Sequence, residues 1–287
     1  MILNFYNHFK NGDIHLSREF VKDIIRKTNF DEINYFHKNG DSILKDISNI
    51  NVNISGLDFL NHEDSIFYYD NNMYINTWVG TRKLKFYCGV GLKEPLRCSL
   101  YSYYEMFKDI YDRLGIKLEE ISYYVPSINF EKINKTNVDE FLFLYPNRKI
   151  LICNGDALSG QSKNIILDGI IDKLADSYKN ISFILAKKTT ISKENIFYTD
   201  NITKIERDLV EISYLSTYCD IIIGRSSGPH TFTYIKNNFF NKNKTNISMC
   251  EYEYDGKWFY ECDINNVWTN NYDEEHLLNL IKKQIEK

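Results

Sequence analysis

The sequence predicts an α/β protein built from two Rossmann-like lobes. One observation is a strand, polar loop, helix unit that opens at Ile2 and restarts at Lys149. Another is the run Asp208–Tyr234, DLVEISYLSTYCDIIIGRSSGPHTFTY, which packs a helix, a short buried strand, a loop and a second helix start into one stretch, the order of half a parallel α/β fold. The third is the loosened pattern over residues 126–147, with Pro126 and Pro146 around a polar stretch, where a lobe boundary belongs. The 287 residues suffice for two ordinary domains. The expected division is an N-terminal lobe over 1–125, a linker over 126–147 and a C-terminal lobe over 148–287.

In chain order, ILNFYNHF (residues 2–9) reads as a first strand and Lys10-Asn11-Gly12-Asp13 as a turn. A helix then runs to Lys27 with Phe20, Val21, Ile24 and Ile25 inward. Short β-like runs follow at 32–36, 51–54, 65–69 and 73–79, then a helix at 101–114 and a short amphipathic piece at 138–145. The second opening strand is KILICN, residues 149–154. It leads through GDALSGQS into a helix expected over 163–178 with Ile166, Ile170 and Leu174 on one face. Strands are expected at 181–186 and 195–198. Asp208 with Glu211 three residues on is a capping-box pair for the helix carrying Leu209, Ile212, Leu215 and Cys219. After the strand Ile221–Ile223, residues 247–252 and 257–262 read as a hairpin hinged at Asp255-Gly256, and a helix over 273–285 closes the chain.

Charge and cysteine usage narrow the function. With 35 Lys and Arg against 39 Asp and Glu, a net charge of -4 and an isoelectric point near 5.9, the chain lacks the basic balance that phosphate-backbone binding demands, so nucleic acid is not expected as a partner. No apolar run approaches the roughly 20 residues of a membrane span, and the N-terminus lacks the layout of a signal peptide. A cytoplasmic protein is expected, with peripheral contact to a membrane left open. The six cysteines form no close pair, which disfavours a zinc site or a disulfide framework.

The loop Gly224-Arg225-Ser226-Ser227-Gly228-Pro229-His230 is the strongest candidate site. Free first-turn N–H groups, two hydroxyls and a guanidinium at the carboxyl end of a parallel strand suit a phosphate or diphosphate. The same residues also make a plain strand-to-helix turn, with a serine as N-cap and Arg225 in solvent. His230 either donates to a phosphate or packs against its lobe. Gly155–Ser162 nearly spells a Walker A loop, but Gln161 stands where the phosphate-binding lysine belongs, so a polar loop lining a ligand site is the better reading. That loop makes Asn154, Ser159, Gly160, Gln161 and Ser162 candidates for donor contact. Asp13 is either the N-cap of the first helix or a general base. The Tyr-, Asn- and Trp-rich first half, including Trp78 and Tyr103, fits either a Tyr-rich core or sugar recognition. His8 and His15 flank the Asp13 turn as acceptor contacts or as ordinary polar residues.

Gly12-Asp13 opening the first helix in NGDIHLSREFV resembles the Gly-Asp of heptosyltransferase-like enzymes, glycosyltransferase family 9, and CDIIIGRSSGPHTF resembles their ADLVIGxDSGPxH segment. Arg225-Ser226 stands where that family has Asn-Asp or a similar pair, and His230 follows Pro229 without the intervening residue. The resemblance implies a GT-B glycosyltransferase with the ligand cleft between its lobes. It implies a nucleotide-sugar donor on the C-terminal lobe and a saccharide or other hydroxyl acceptor on the N-terminal one, near Gly12, His15 and Trp78. The implied mechanism is an inverting, metal-independent displacement with Asp13 as base; no cofactor and no metal ligand are expected. A sugar-nucleotide epimerase or hydrolase of the same fold, or a non-catalytic nucleotide-binding module, remains as the alternative.

Overall fold

The computed structural model describes residues 1–54, 64–79, 99–158, 160, 162–203, 208–256, 259 and 261–287. Ser159, Gln161 and, in the expected strand 257–262, Lys257, Trp258 and Tyr260 lie outside the described residues. The chain divides into two compact units, Met1–Lys132 and Ile133–Lys287.

In the first unit, β1 (Ile2–Tyr6) leads into α1 (Asn11–Lys27) and β2 (Glu32–Phe36). The short helix α2 (Gly40–Ile43), then β3 (Asn51–Asn53), β4 (Ile66–Tyr69), β5 (Asn72–Asn76) and α3 (Ser99–Leu114) follow. The sheet order is β3-β2-β1-β5-β4, with β4 alone antiparallel to its neighbour. The strands match the short runs read from sequence. The chain leaves β1 for β2, while β5 takes the other edge of β1, so the carboxyl end of β1 is a topological switch point, where open α/β sheets hold ligands. α1 packs on α3 through Phe20 and Phe107, whose rings stack at 4.3 Å, and Phe20 also stacks on Tyr124 at 4.1 Å. The aromatic wealth of this half therefore serves packing first. Tyr74 and Tyr103 are buried, while Tyr68 and Tyr69 on the edge strand are exposed.

The second unit opens on α4 (Thr136–Leu144), which lies within the stretch expected as linker. Phe141 meets Phe197 edge-on, and the Tyr214 hydroxyl donates to Asp139 at 2.7 Å. β6 (Arg148–Cys153), α5 (Asp168–Ser177), β7 (Ile181–Leu185), β8 (Ile196–Tyr198), α6 (Thr199–Ile202) and α7 (Leu209–Ser216) come next. They are followed by β9 (Ile221–Gly224), α8 (Gly228–Phe232), α9 (Lys236–Phe239), β10 (Thr245–Met249), α10 (Glu253–Gly256), β11 (Asn265–Thr269) and α11 (Glu274–Ile285). The sheet order is β11-β10-β9-β6-β7-β8, all parallel, which in sequence terms is the doubly wound 3-2-1-4-5-6 arrangement. Strands covered on both faces read as continuous apolar runs, which is why Ile150-Leu151-Ile152 and Ile221-Ile222-Ile223 are legible in the sequence. α7 is capped by Asp208, whose carboxylate accepts from the N–H groups of Val210 and Glu211 at 3.0 Å each.

Three readings of the sequence are corrected. The hairpin at Asp255-Gly256 does not form, because β10 has both edges occupied in parallel, by β9 and β11, and residues 253–256 are a helical turn on the crossover between them. Gly256 is needed there, since a Cβ would lie 2.3 Å from Trp268 Cδ1. The helix expected from 163 begins at Asp168, leaving Ile166 85% exposed, because the Ile165 carbonyl that would have served the first turn accepts from Arg225 instead. Asp13 is not an N-cap. α1 starts at Asn11, with Lys10 in the capping position, so Asp13 sits inside the first turn.

Candidate functional site

Each sheet offers a switch point, with Asp13 beside the first and the Gly224–His230 loop beside the second. In the second unit Cys153 pairs with Gly224 in register, so the loops after β6 and β9 leave side by side from neighbouring strand ends. The β9 loop turns sharply at Ser226, whose φ of 53° lies in the left-handed region, and α8 starts at Gly228-Pro229. Ser227 stands in the N-cap position but makes no side-chain cap bond; its Oγ is buried and has no protein partner. A buried hydroxyl left unsatisfied costs roughly 1–3 kcal/mol.

His230 is placed inward and shapes this loop. Its Nδ1 accepts from the Ser226 N–H at 3.0 Å, which puts the ring proton on Nε2, 2.9 Å from the Asn246 Oδ1 it donates to. Burial holds the imidazole down to about 4, with the Asn246 bond opposing, so the ring is neutral at ordinary pH. Both nitrogens are engaged within the protein.

Arg225 is likewise turned into the protein, with 1% of its surface exposed. Its Nη1 donates to the Ile165 carbonyl at 2.8 Å and its Nη2 to the Asn154 carbonyl at 2.6 Å. The guanidinium therefore ties the β6 loop down at both ends. Other bonds complete the stitching. The Asn154 amide makes a two-point clamp on Lys187, accepting from its N–H at 2.8 Å and donating to its carbonyl at 2.9 Å. Ser162 Oγ donates to the Met249 carbonyl at 2.8 Å and lies 3.4 Å from the Tyr272 hydroxyl. Gly160 takes a left-handed φ of 76° with open space where its Cβ would be. Two residues on this rim escaped the sequence reading. Lys163 is exposed, with its ammonium 5.3 Å from the centre of the Tyr272 ring. The Walker template draws attention to position 161, two residues before Lys163, while Tyr272, far along the chain, carries no local signal.

In the first unit Asp13 lies in the first turn of α1, just past the end of β1. It is half-buried, and the Tyr103 hydroxyl on α3 donates to its Oδ1 at 2.6 Å. Burial raises the carboxyl to about 6, with the Tyr103 bond and its own backbone N–H pulling the other way. A carboxylate poised there takes and gives protons near neutral pH. Gly12 precedes it in the same turn. Trp78, just past β5, stacks on Phe9 at 3.6 Å between ring centres, so one indole face is covered while the residue stays partly accessible. The structure does not bring His15 to this group. Two positions beyond Asp13 the helix has turned about 200°, and the imidazole is fully buried with Nδ1 3.1 Å from Nη1 of Arg18, itself paired to Asp46.

Among the described residues no group of three or more His, Cys, Asp or Glu side chains is placed to hold a metal ion, and no described helix is long and apolar enough to cross a membrane. Cys153, Cys219, Cys250 and Cys262 are free thiols.

No family model matches the chain. No curated protein matches it either. Solved structures do. A glycosyl transferase family 9 protein from Veillonella parvula aligns with TM-score 0.57 and 13% identity, over 100% of this chain and 91% of that one. The E. coli heptosyltransferase WaaC with ADP aligns with TM-score 0.56 and 11% identity, over 100% of this chain and 99% of its own. The same enzyme with ADP-2-deoxy-2-fluoro heptose gives TM-score 0.56 at 9% identity. With two doubly wound units, switch points at β1 and β6, and alignment along its whole length, the chain has the fold of these glycosyltransferases.

Proposed function

We propose that the protein is an inverting, metal-independent glycosyltransferase that moves a sugar from a nucleoside-diphosphate sugar to a hydroxyl acceptor. The observation that carries this reading is Asp13. In a fold shared with glycosyltransferases, it is a half-buried carboxylate titrating near 6 beside the switch point of the first sheet. The Asp13 carboxylate removes the proton of the acceptor hydroxyl, the hydroxyl oxygen attacks the anomeric carbon, and the bond from that carbon to the diphosphate oxygen breaks with inversion. Negative charge develops on the leaving diphosphate and is met by the loop after β9, where Ser227 Oγ and the first-turn N–H groups of α8 lie. Arg225 serves this loop as scaffold, since its guanidinium is committed to two carbonyls. Positive charge comes from Lys163 on the neighbouring loop. Gly12 and Trp78 are assigned to the acceptor side. ADP is the first diphosphate to try, because the heptosyltransferase WaaC was solved with it.

Calorimetry with ADP, UDP, GDP and the corresponding nucleosides tests the reading. One diphosphate should bind, and Lys163→Ala should weaken the diphosphate by roughly 10-fold or more, as expected for a charge-assisted contact of about 1.5–3 kcal/mol, while leaving the nucleoside unchanged. Binding of no diphosphate by the folded protein would remove the transferase reading. Equal losses for diphosphate and nucleoside would remove Lys163 from the phosphate site.

A further inference from the structure

We propose that Tyr103 is a positioning residue, holding one oxygen of the Asp13 carboxylate so that the other is presented to the acceptor hydroxyl. The role rests on Asp13 being the base of the proposed transfer.

The helix pair α1 and α3 uses the same chemistry twice, with different outcomes. Tyr103, Phe107 and Tyr111 recur at intervals of four on α3 and so line one face. Opposite them on α1 stand Asp13, Phe20 and Asp23: Tyr103 donates to Asp13, Phe107 stacks on Phe20, and Tyr111 donates to Asp23 Oδ2 at 2.8 Å. At the Asp23 end the carboxylate also accepts from Tyr124 at 3.0 Å and pairs with Arg26 and Lys27. It is fully buried and saturated, which makes it a structural anchor. At the Asp13 end one phenol is present, and no ion pair to Asp13 occurs among the described residues. Its remaining surroundings are its own N–H and, from β2, Tyr35, whose hydroxyl is taken up by Thr77 Oγ1 at 2.6 Å. Among the described residues no side-chain donor reaches Oδ2, the oxygen we assign to the ligand.

The 2.6 Å separation is that of an O–H donor on an ionised acceptor, so the bond favours the carboxylate form. Tyr103 then does two things through Asp13. It fixes the rotation of the carboxyl group, and it keeps the group ionised at neutral pH against the cost of its burial.

The test needs no substrate. The full chain is labelled with aspartate carrying 13C in the side-chain carboxyl, Asp13 is assigned by the signal missing in Asp13→Asn, and its titration is followed by NMR. Tyr103→Phe should move the Asp13 midpoint upward by about half a pH unit or more, as loss of a bond to the charged form requires, while the other aspartates keep theirs. An unmoved midpoint in a variant with native near-UV dichroism overturns the proposal. If Tyr103→Phe fails to fold, 3-fluorotyrosine placed at position 103 gives the opposite test: the stronger donor should lower the midpoint, and no change or a rise overturns the proposal. Failure of the base reading is separable, because an Asp13→Asn protein that keeps full turnover would remove Asp13 from catalysis while leaving the coupling to Tyr103 measurable.

Discussion

The imidazole of His230 fills the space that a side chain on Gly224 would need: a Cβ built there would sit 2.3 Å from His230 Cγ and 2.6 Å from Cδ2. The ring has nowhere to go, being held at one nitrogen by Ser226 and at the other by Asn246. Glycine at 224 and histidine at 230 are therefore one device, a strand end flattened so that the ring can brace the loop from beneath.

Gly224→Ala should consequently destabilise the protein by roughly 1–3 kcal/mol, the usual range for overpacking a close-packed site. The same change should weaken diphosphate binding, because the loop has to move to admit the methyl group. Urea denaturation and calorimetry check the two effects. A variant within 0.5 kcal/mol of the parent protein would show that the ring yields easily.

Acid should find the same device. The His230 imidazole titrates near 4 in the folded protein, below its ordinary value of 6.5. Below 6.5 the unfolded chain binds a proton that the folded one refuses, so the stability present above that pH is lost as pH falls toward 4, by an amount on the order of 3 kcal/mol. Replacing the ring in His230→Gln removes this titration. The difference in melting temperature between the two proteins should narrow between pH 7 and pH 5, and a constant difference would exclude His230 as a source of acid sensitivity.

Asp13→Asn separates catalysis from stability. Asparagine cannot accept a proton from an attacking hydroxyl, so turnover should fall by the roughly 100- to 10,000-fold typical of losing a general base. Stability should move the other way. The folded carboxyl titrates near 6, above its ordinary value of 3.8, so ionising it costs the fold stability, a cost absent below 3.8 and complete above 6. At pH 8 the variant should therefore be more stable than the parent by up to about 3 kcal/mol, with the gain vanishing toward pH 4. A lower melting temperature at pH 8 with little loss of rate would make Asp13 a structural residue.

Local physics put most of the architecture within reach of the sequence. Buried parallel strands must be apolar along their whole length, so Ile150–Ile152 and Ile221–Ile223 declare themselves, and Asp208 announces the start of α7 because an N-cap needs a short side-chain acceptor. Gly224, Ser227 and Pro229 mark a strand-to-helix loop for the same kind of reason. What each polar side chain does within that loop is a different matter, because it depends on partners distant in the chain. Arg225 belongs to Ile165 and Asn154, 60 and 71 residues away, and His230 to Asn246 on the next strand. The hairpin failed on similar grounds: a turn signal at Asp255-Gly256 is local, whereas the occupation of both edges of β10 is decided by β9 and β11. Asp13 shows both halves of the lesson. Its place at the head of the first helix is written in the sequence, but its desolvation and its bond to Tyr103, 90 residues on, exist only once α3 has packed against α1.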